Sequence, residues 1–259
     1  MEPSFVTPAL AGPGRGPLAL LGDGLHRRGG RRAISVLSAA LLLTGIGLFA
    51  YPLFTDLYQR HLQGGLRNQF AGPSTAEAYR RHAFKLGAGL TRLRIPKIGL
   101  DVLVVEGTTS AALRAGAGHY LGTPLPGEAG NVAIAGHRTT YGHPFNRLDE
   151  VSPGTEIELD TPTLVVIYRA VPTFDGKANP HPVLPTDVSV IAPPGTAGVH
   201  ELTLTTCNPK GSASQRLILR AVQVSVTSRN GRPPSAGAVP PGDGAAPTAP
   251  PISALPAPQ

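Results

Sequence analysis

The chain reads as an all-β domain, a barrel or sandwich of about eight short strands, preceded by one apolar helix long enough to cross a membrane. Two observations carry the β reading: between Leu93 and Val226 apolar and polar residues alternate in short runs, and Gly and Pro punctuate those runs where a helical period is missing. The third observation is an uncharged apolar run from Ala33 to Phe54. At 1.5 Å per residue it reaches about 33 Å, the depth of a hydrocarbon core.

The elements follow in order. Residues 1–32 form a Gly- and Pro-rich leader ending in Arg27, Arg28, Arg31 and Arg32, and are expected to be disordered and cytoplasmic. Residues 33–54 are the membrane anchor, with Tyr51 and Phe54 as interfacial aromatics. A cleaved signal peptide is the competing reading, opposed by the length of the run and the lack of an A-x-A site. Residues 55–90 mix helix formers with Gly and Pro, which suggests a short helix and then a loose stalk.

Residues 91–228 hold the strands, expected at Leu93–Ile95, Leu100–Glu106, Asn131–Ala135, Thr155–Thr161, Leu164–Val171, Val188–Ile191, Glu201–Cys207 and Arg216–Val226. The segment Gly116–Gly130 reads as irregular. About 135 residues suffice to bury a core. Residues 229–259 are too rich in Pro and too poor in large apolar side chains to fold.

Composition excludes several functions. The net charge is +7, but the cations are scattered and not gathered with aromatics into a nucleic-acid-binding stripe. The 8 His and single Cys lack zinc-ligand spacing, so neither a metal nor another cofactor is expected.

Cys207 closes the alternating run Leu202-Thr203-Leu204-Thr205-Thr206, and after a turn-rich loop Arg216 opens the next strand. If the two runs pair, thiol and guanidinium come together, and the cation favours a thiolate or the oxyanion formed when that thiolate attacks a carbonyl. An inert buried Cys beside a surface Arg is the alternative. His137, in Ala135-Gly136-His137-Arg138, falls just past a strand end, where an imidazole can serve both proton steps of acyl transfer. A strand-end His satisfied as an ordinary polar group is its alternative. His143 and His181 read as exposed loop residues.

Taken together, Thr203-Leu204-Thr205-Thr206-Cys207, Arg216, the Ala135–Arg138 string and the anchor resemble a sortase, and the fuller strings from Gly118 to Gly142 and from Thr203 to Ala221 are most similar to the class E, housekeeping-type branch. The resemblance covers about Leu93 to Val226. It implies an eight-stranded sortase-type β-barrel with short helices, outside the cytoplasm on a single-pass anchor. Cys207 is then the nucleophile, His137 the general acid and base, and Arg216 the oxyanion or carbonyl ligand. Tyr141 implies a preference for an LAxTG-like over an LPxTG-like signal, Thr206 lines the substrate groove, and His119 is structural or groove-lining.

Two departures from the family strings, Asn208 where relatives often carry His and Gly211 where they often carry Tyr, alter the contour beside the thiol. The implied partners are proteins bearing a C-terminal sorting signal and a peptidoglycan-precursor amine. A pilin lysine as acceptor, in a pilus-polymerising enzyme, and an inactive sortase-shaped scaffold are the other readings.

Overall fold

A computed structural model describes residues 28–229. The first 27 residues of the expected 1–32 leader and the Pro-rich tail after Arg229 lie outside the described residues, while residues 28–32, expected to be disordered, open the first helix. The chain divides into two compact units, Met1–Tyr51 and Pro52–Gln259.

Helix α1 runs from Arg28 to Phe70 and contains the apolar segment 33–54 expected to be the anchor. Its most apolar 18-residue window has mean hydropathy 2.2, and by length and composition it can cross a membrane. Leu41, Leu42, Leu43, Leu48 and Phe49 are all more than 60% exposed among the described residues, a continuous apolar surface.

The second unit is a closed barrel. After α2 (Pro73–Arg81) come β1 (Gly89–Ile95), β2 (Leu100–Glu106), α3 (Ser110–Ala115), β3 (Ala117–His119), β4 (Gly130–Ala135), β5 (Glu156–Asp160), β6 (Leu164–Ala170), β7 (Thr173–Phe174), β8 (Lys177–Ala178), β9 (His181–Val183), β10 (His200–Asn208) and β11 (Gln215–Ser228). Hydrogen-bonded neighbours run β10-β4-β3-β2-β1-β5-β6-β11, and β11 pairs back to β10, so eight strands close the ring with no free edge. The pairs β2/β3 and β4/β10 are parallel; the others in the ring are antiparallel. β9 lies outside the ring along the start of β11, and β7 and β8 form a separate hairpin.

Alternation along each strand sorts the side chains into two layers. Val132, Ile134, Leu202, Leu204, Leu217 and Leu219 point inward with Leu93, Val104, Leu159 and Tyr168 to form the main core. Ala133, Ala135 and Ile218 point outward, where Leu113, Tyr120, Val190 and Ile191 cover them as a second cluster. That outer face carries the site.

Three expectations need correction. Val188–Ile191 is a 3-10 turn, not a strand: the Asp187 carboxylate accepts from Ser189 N at 3.3 Å and caps it. The eighth strand is Ala117–His119, inside the stretch expected to be irregular, because three residues are too few to display an alternation. His181 is 7% exposed, with its ring 4.1 Å from that of Phe174.

Residues 55–90 are also firmer than a stalk. Thr55, Gln59 and Gln63 on α1 are 1%, 7% and 6% exposed. Gln63 Oε1 accepts from Leu103 N at 2.9 Å, while its Nε2 donates to Leu103 O at 3.1 Å and Ala115 O at 2.6 Å. On α2, Tyr79 donates its hydroxyl to Leu90 O at 2.6 Å.

Gln63→Leu keeps the side chain's bulk but leaves the Leu103 amide and two carbonyls unmet, each costing about 1–3 kcal/mol. The full chain in detergent should melt roughly 5 °C or more lower, read by thermal denaturation; an unchanged midpoint would show that these bonds contribute nothing net.

Candidate active site

β10 delivers Cys207 one residue before its end, and in the antiparallel register Cys207 stands opposite Arg216 on β11. On its other side β10 runs parallel to β4, with Thr205 opposite Ala135. Continuing that ladder, Gly136 N donates to Thr205 O at 3.0 Å, and His137 follows at once. Cys207 shares the parity of Thr203 and Thr205, Arg216 that of Ile218, and His137 that of Ala133 and Ala135. The strands thus bring the three onto the outer layer at one end of three adjoining strands.

Thr206 takes the opposite parity. It is 1% exposed and donates its hydroxyl to Gly136 O at 2.7 Å, so it stands behind the thiol, tying β10 to β4, and does not line a groove on the face of Cys207. This corrects the expectation from the resemblance.

The site is dry and cationic. Cys207 is 8% exposed, His137 3% and Arg216 2%. Arg216 donates from one guanidinium nitrogen to Ala213 O at 2.8 Å and Gln215 O at 2.9 Å, which fixes the plane of the group. His137 Nδ1 lies 3.3 Å from Thr140 Oγ1, and its ring centroid is 5.2 Å from that of Tyr141. Gly136 is required beside it: a Cβ there would stand 2.7 Å from the Phe145 ring.

Sequence reasoning missed three contributors. Arg138 was visible only as part of a string; buried at 4% exposure, it donates to Cys207 O at 3.2 Å and Asn208 Oδ1 at 3.1 Å and pairs with Asp149 at 3.1 Å. It clamps the backbone of Cys207 to the His137 loop, and Asn208, which also donates to Gln215 Oε1 at 2.9 Å, completes the clamp. Arg114, on the undetected α3, lies 5.8 Å over the Tyr141 ring. Tyr120 puts its hydroxyl 2.9 Å from Thr205 Oγ1.

His119 is structural. Its Nδ1 meets Glu106 at 2.9 Å and its Nε2 meets Pro124 O at 3.0 Å, both away from the thiol's neighbours. Among the described residues no group of three or more His, Cys, Asp or Glu is placed to hold a metal ion.

A profile described as Sortase domain matches residues 93–224, half of the chain and nearly all of the barrel. The chain belongs to the sortase family. Its relatives include Sortase SrtE1 of Streptomyces coelicolor, 34% identical over 167 residues, an alignment that covers 60% of this chain and 46% of that protein. The chain thus spans under half the length of that relative.

Among solved structures, sortase E from Streptomyces avermitilis is 34% identical with TM-score 0.50, covering 58% of this chain and 98% of that one. The SrtF sortase from Corynebacterium diphtheriae is 31% identical with TM-score 0.53, covering 59% and 92% respectively. The chain is therefore a class E-like member of a family of cysteine transpeptidases, and its barrel is the sortase barrel.

In this sortase, burial, with the Arg114 guanidinium adding to it, pushes the His137 imidazole from 6.5 down to about 4. Burial also pushes the Cys207 thiol above its ordinary 9.0, while Arg216 and then Arg138 pull it back. At neutral pH both groups are therefore neutral.

Two measurements follow. The unfolded chain binds a proton at His137 near pH 6.5 and the folded chain only near 4, so folding stability is lost as pH falls across that window, by about 3 kcal/mol in all. His137→Gln should flatten that part of the stability–pH curve. Alkylation of Cys207 by iodoacetamide should titrate with a midpoint above 9.0, moving higher still in Arg216→Gln because a cation is lost.

Proposed function

We propose that the chain is a membrane-anchored transpeptidase that cleaves a C-terminal LAxTG- or LPxTG-like sorting signal between Thr and Gly and transfers the protein to a cell-wall amine. The observation that carries the reading is the shared outer face of Cys207, Arg216 and His137, assembled by the antiparallel β10/β11 and parallel β10/β4 pairings. Support for the location is the apolar segment of α1, and Arg28, Arg31 and Arg32 on its N-terminal side favour a cytoplasmic N-terminus with the barrel outside.

The chemistry starts from the neutral pair. A proton moves from Cys207 Sγ to His137, and the thiolate attacks the Thr carbonyl carbon. Charge that develops on the carbonyl oxygen meets the guanidinium of Arg216, already held by two backbone carbonyls and needing no reorganisation. The tetrahedral species collapses as the C–N bond to Gly breaks, and the imidazolium gives its proton to the departing amine.

The acceptor amine then attacks the thioester, His137 removes its proton, and Cys207 leaves as the thiolate. With Nδ1–H donating to Thr140 Oγ1, the Nε2 lone pair is left to take up and return the proton in transit. Tyr141, packed near His137 and under Arg114, forms the wall that favours Ala over Pro at the second signal position.

The test is to incubate the full chain in detergent with LAxTG and LPxTG peptides and either a glycine-type amine or a lysine-bearing pilin peptide, following thioacyl-enzyme and product by mass spectrometry. Cys207→Ala should form no thioacyl-enzyme, and His137→Ala or Arg216→Ala should lower kcat/KM by about a hundredfold or more with the fold intact. Wild-type turnover by Cys207→Ala would remove the mechanism, and a wild type that never acylates would favour a scaffold. The thiolate–imidazolium pair carries the same proton count as the neutral pair, so kcat/KM should stay level between an acid limb near pH 4 and an alkaline limb above 9.0.

A further inference from the structure

The half of α1 that follows the anchor reaches the loop beside His137. Asp56 Oδ1 accepts from Gly142 N at 2.8 Å and lies 3.6 Å from His143 Nδ1. Gln59, one turn on, is packed so closely that a Cβ on Gly142 would stand 2.5 Å from its Oε1, and Gly142 itself has φ of +70°. The loop and helix therefore approach as only a glycine permits.

The segment held in this way is strained. Tyr141 has φ of 49°, the left-handed region, which costs a residue with a Cβ about 1–2 kcal/mol and persists only where the surroundings impose it. His143 N donates to Thr140 O at 2.9 Å and closes the turn, and Asp56 fixes the amide in between. The same turn sets the Tyr141 ring 5.2 Å from His137 and the Thr140 hydroxyl 3.3 Å from His137 Nδ1.

We propose that Asp56 is a positioning residue of this site: by accepting the Gly142 amide it locks Tyr141 in its left-handed conformation against His137, and so sets how the sorting peptide is bound. The inference rests on the transpeptidase reading above. It makes the anchor-bearing helix part of the specificity apparatus. A carboxylate is suited to the role because a hydrogen bond from an amide to a charged acceptor is among the stronger ones, and helix α1 presents it without needing a loop of its own.

The experiment compares full-length wild type, Asp56→Ala and Asp56→Asn in detergent, measuring kcat and KM for LAxTG and LPxTG peptides. Asp56→Ala should raise KM for the preferred peptide about tenfold, keep kcat within about threefold, and narrow the preference between the two peptides. Asp56→Asn, whose Oδ1 still accepts, should stay within about twofold of wild type. Melting curves identify a variant that has not folded; in that event Asp56→Ser, too short to reach Gly142 N, replaces Asp56→Ala. A KM and preference unchanged in the folded loss variant, or Asn as impaired as Ala, would overturn the proposal while leaving the transpeptidase reading intact. A wild type with no turnover would overturn that reading and this inference together.

Discussion

The parallel pairing of β4 with β10 is the constraint from which the rest of the site follows. His137 and Cys207 are far apart in the chain, and the ladder Val132/Leu202 to Ala135/Thr205 brings the ends of their strands side by side. A one-residue slip would turn every outward side chain inward. Register is therefore pinned repeatedly across this one seam. Thr203 donates to Asn131 Oδ1 at 2.7 Å, Thr206 holds Gly136 O, and Arg138 holds Cys207 O. Asn131 in turn donates to Val190 O and Ala192 O, fastening the capped 3-10 turn over the outer face.

The seam also explains the electrostatics. Placing two titratable groups on the outer layer and covering that layer with Tyr120, Leu113, Val190 and Ile191 removes water, which disfavours both thiolate and imidazolium. Three arginines then act on different species. Arg216 and Arg138 favour the thiolate, whereas Arg114 disfavours the imidazolium. The pair is held neutral at rest; under the proposed mechanism charge separation is confined to the moment of reaction, where a fixed guanidinium would be worth far more than it is in water.

How much of this was legible depended on the length of the signal. Strand-like runs of five residues or more, bounded by turn formers, gave β2, β4, β10 and β11 close to their true bounds, because such runs leave a trace even where both faces are covered. Ala117–His119 is too short to leave one, and Val188–Ile191 leaves a false one, since its apolar residues cover the outer face from a helical turn. Cys207, His137 and Arg216 were readable as residue types at strand ends. Thr206 was assigned to the groove by the resemblance, whereas neighbours on a strand face opposite ways and turn it from the thiol's side. The docking of Thr55, Gln59 and Gln63 was illegible for a different reason: they recur with helical spacing but are polar, and a search for buried faces looks for apolar stripes.

That polar stripe bears on how a water-soluble fragment is best prepared. A cut near the first strand, where the alternating pattern begins, would discard Gln63 and Tyr79 along with the exposed apolar segment, uncovering the backbone of Leu103, Ala115 and Leu90. The sensible boundary is instead between Phe54 and Thr55, which drops the greasy surface and keeps the residues that cap the barrel wall.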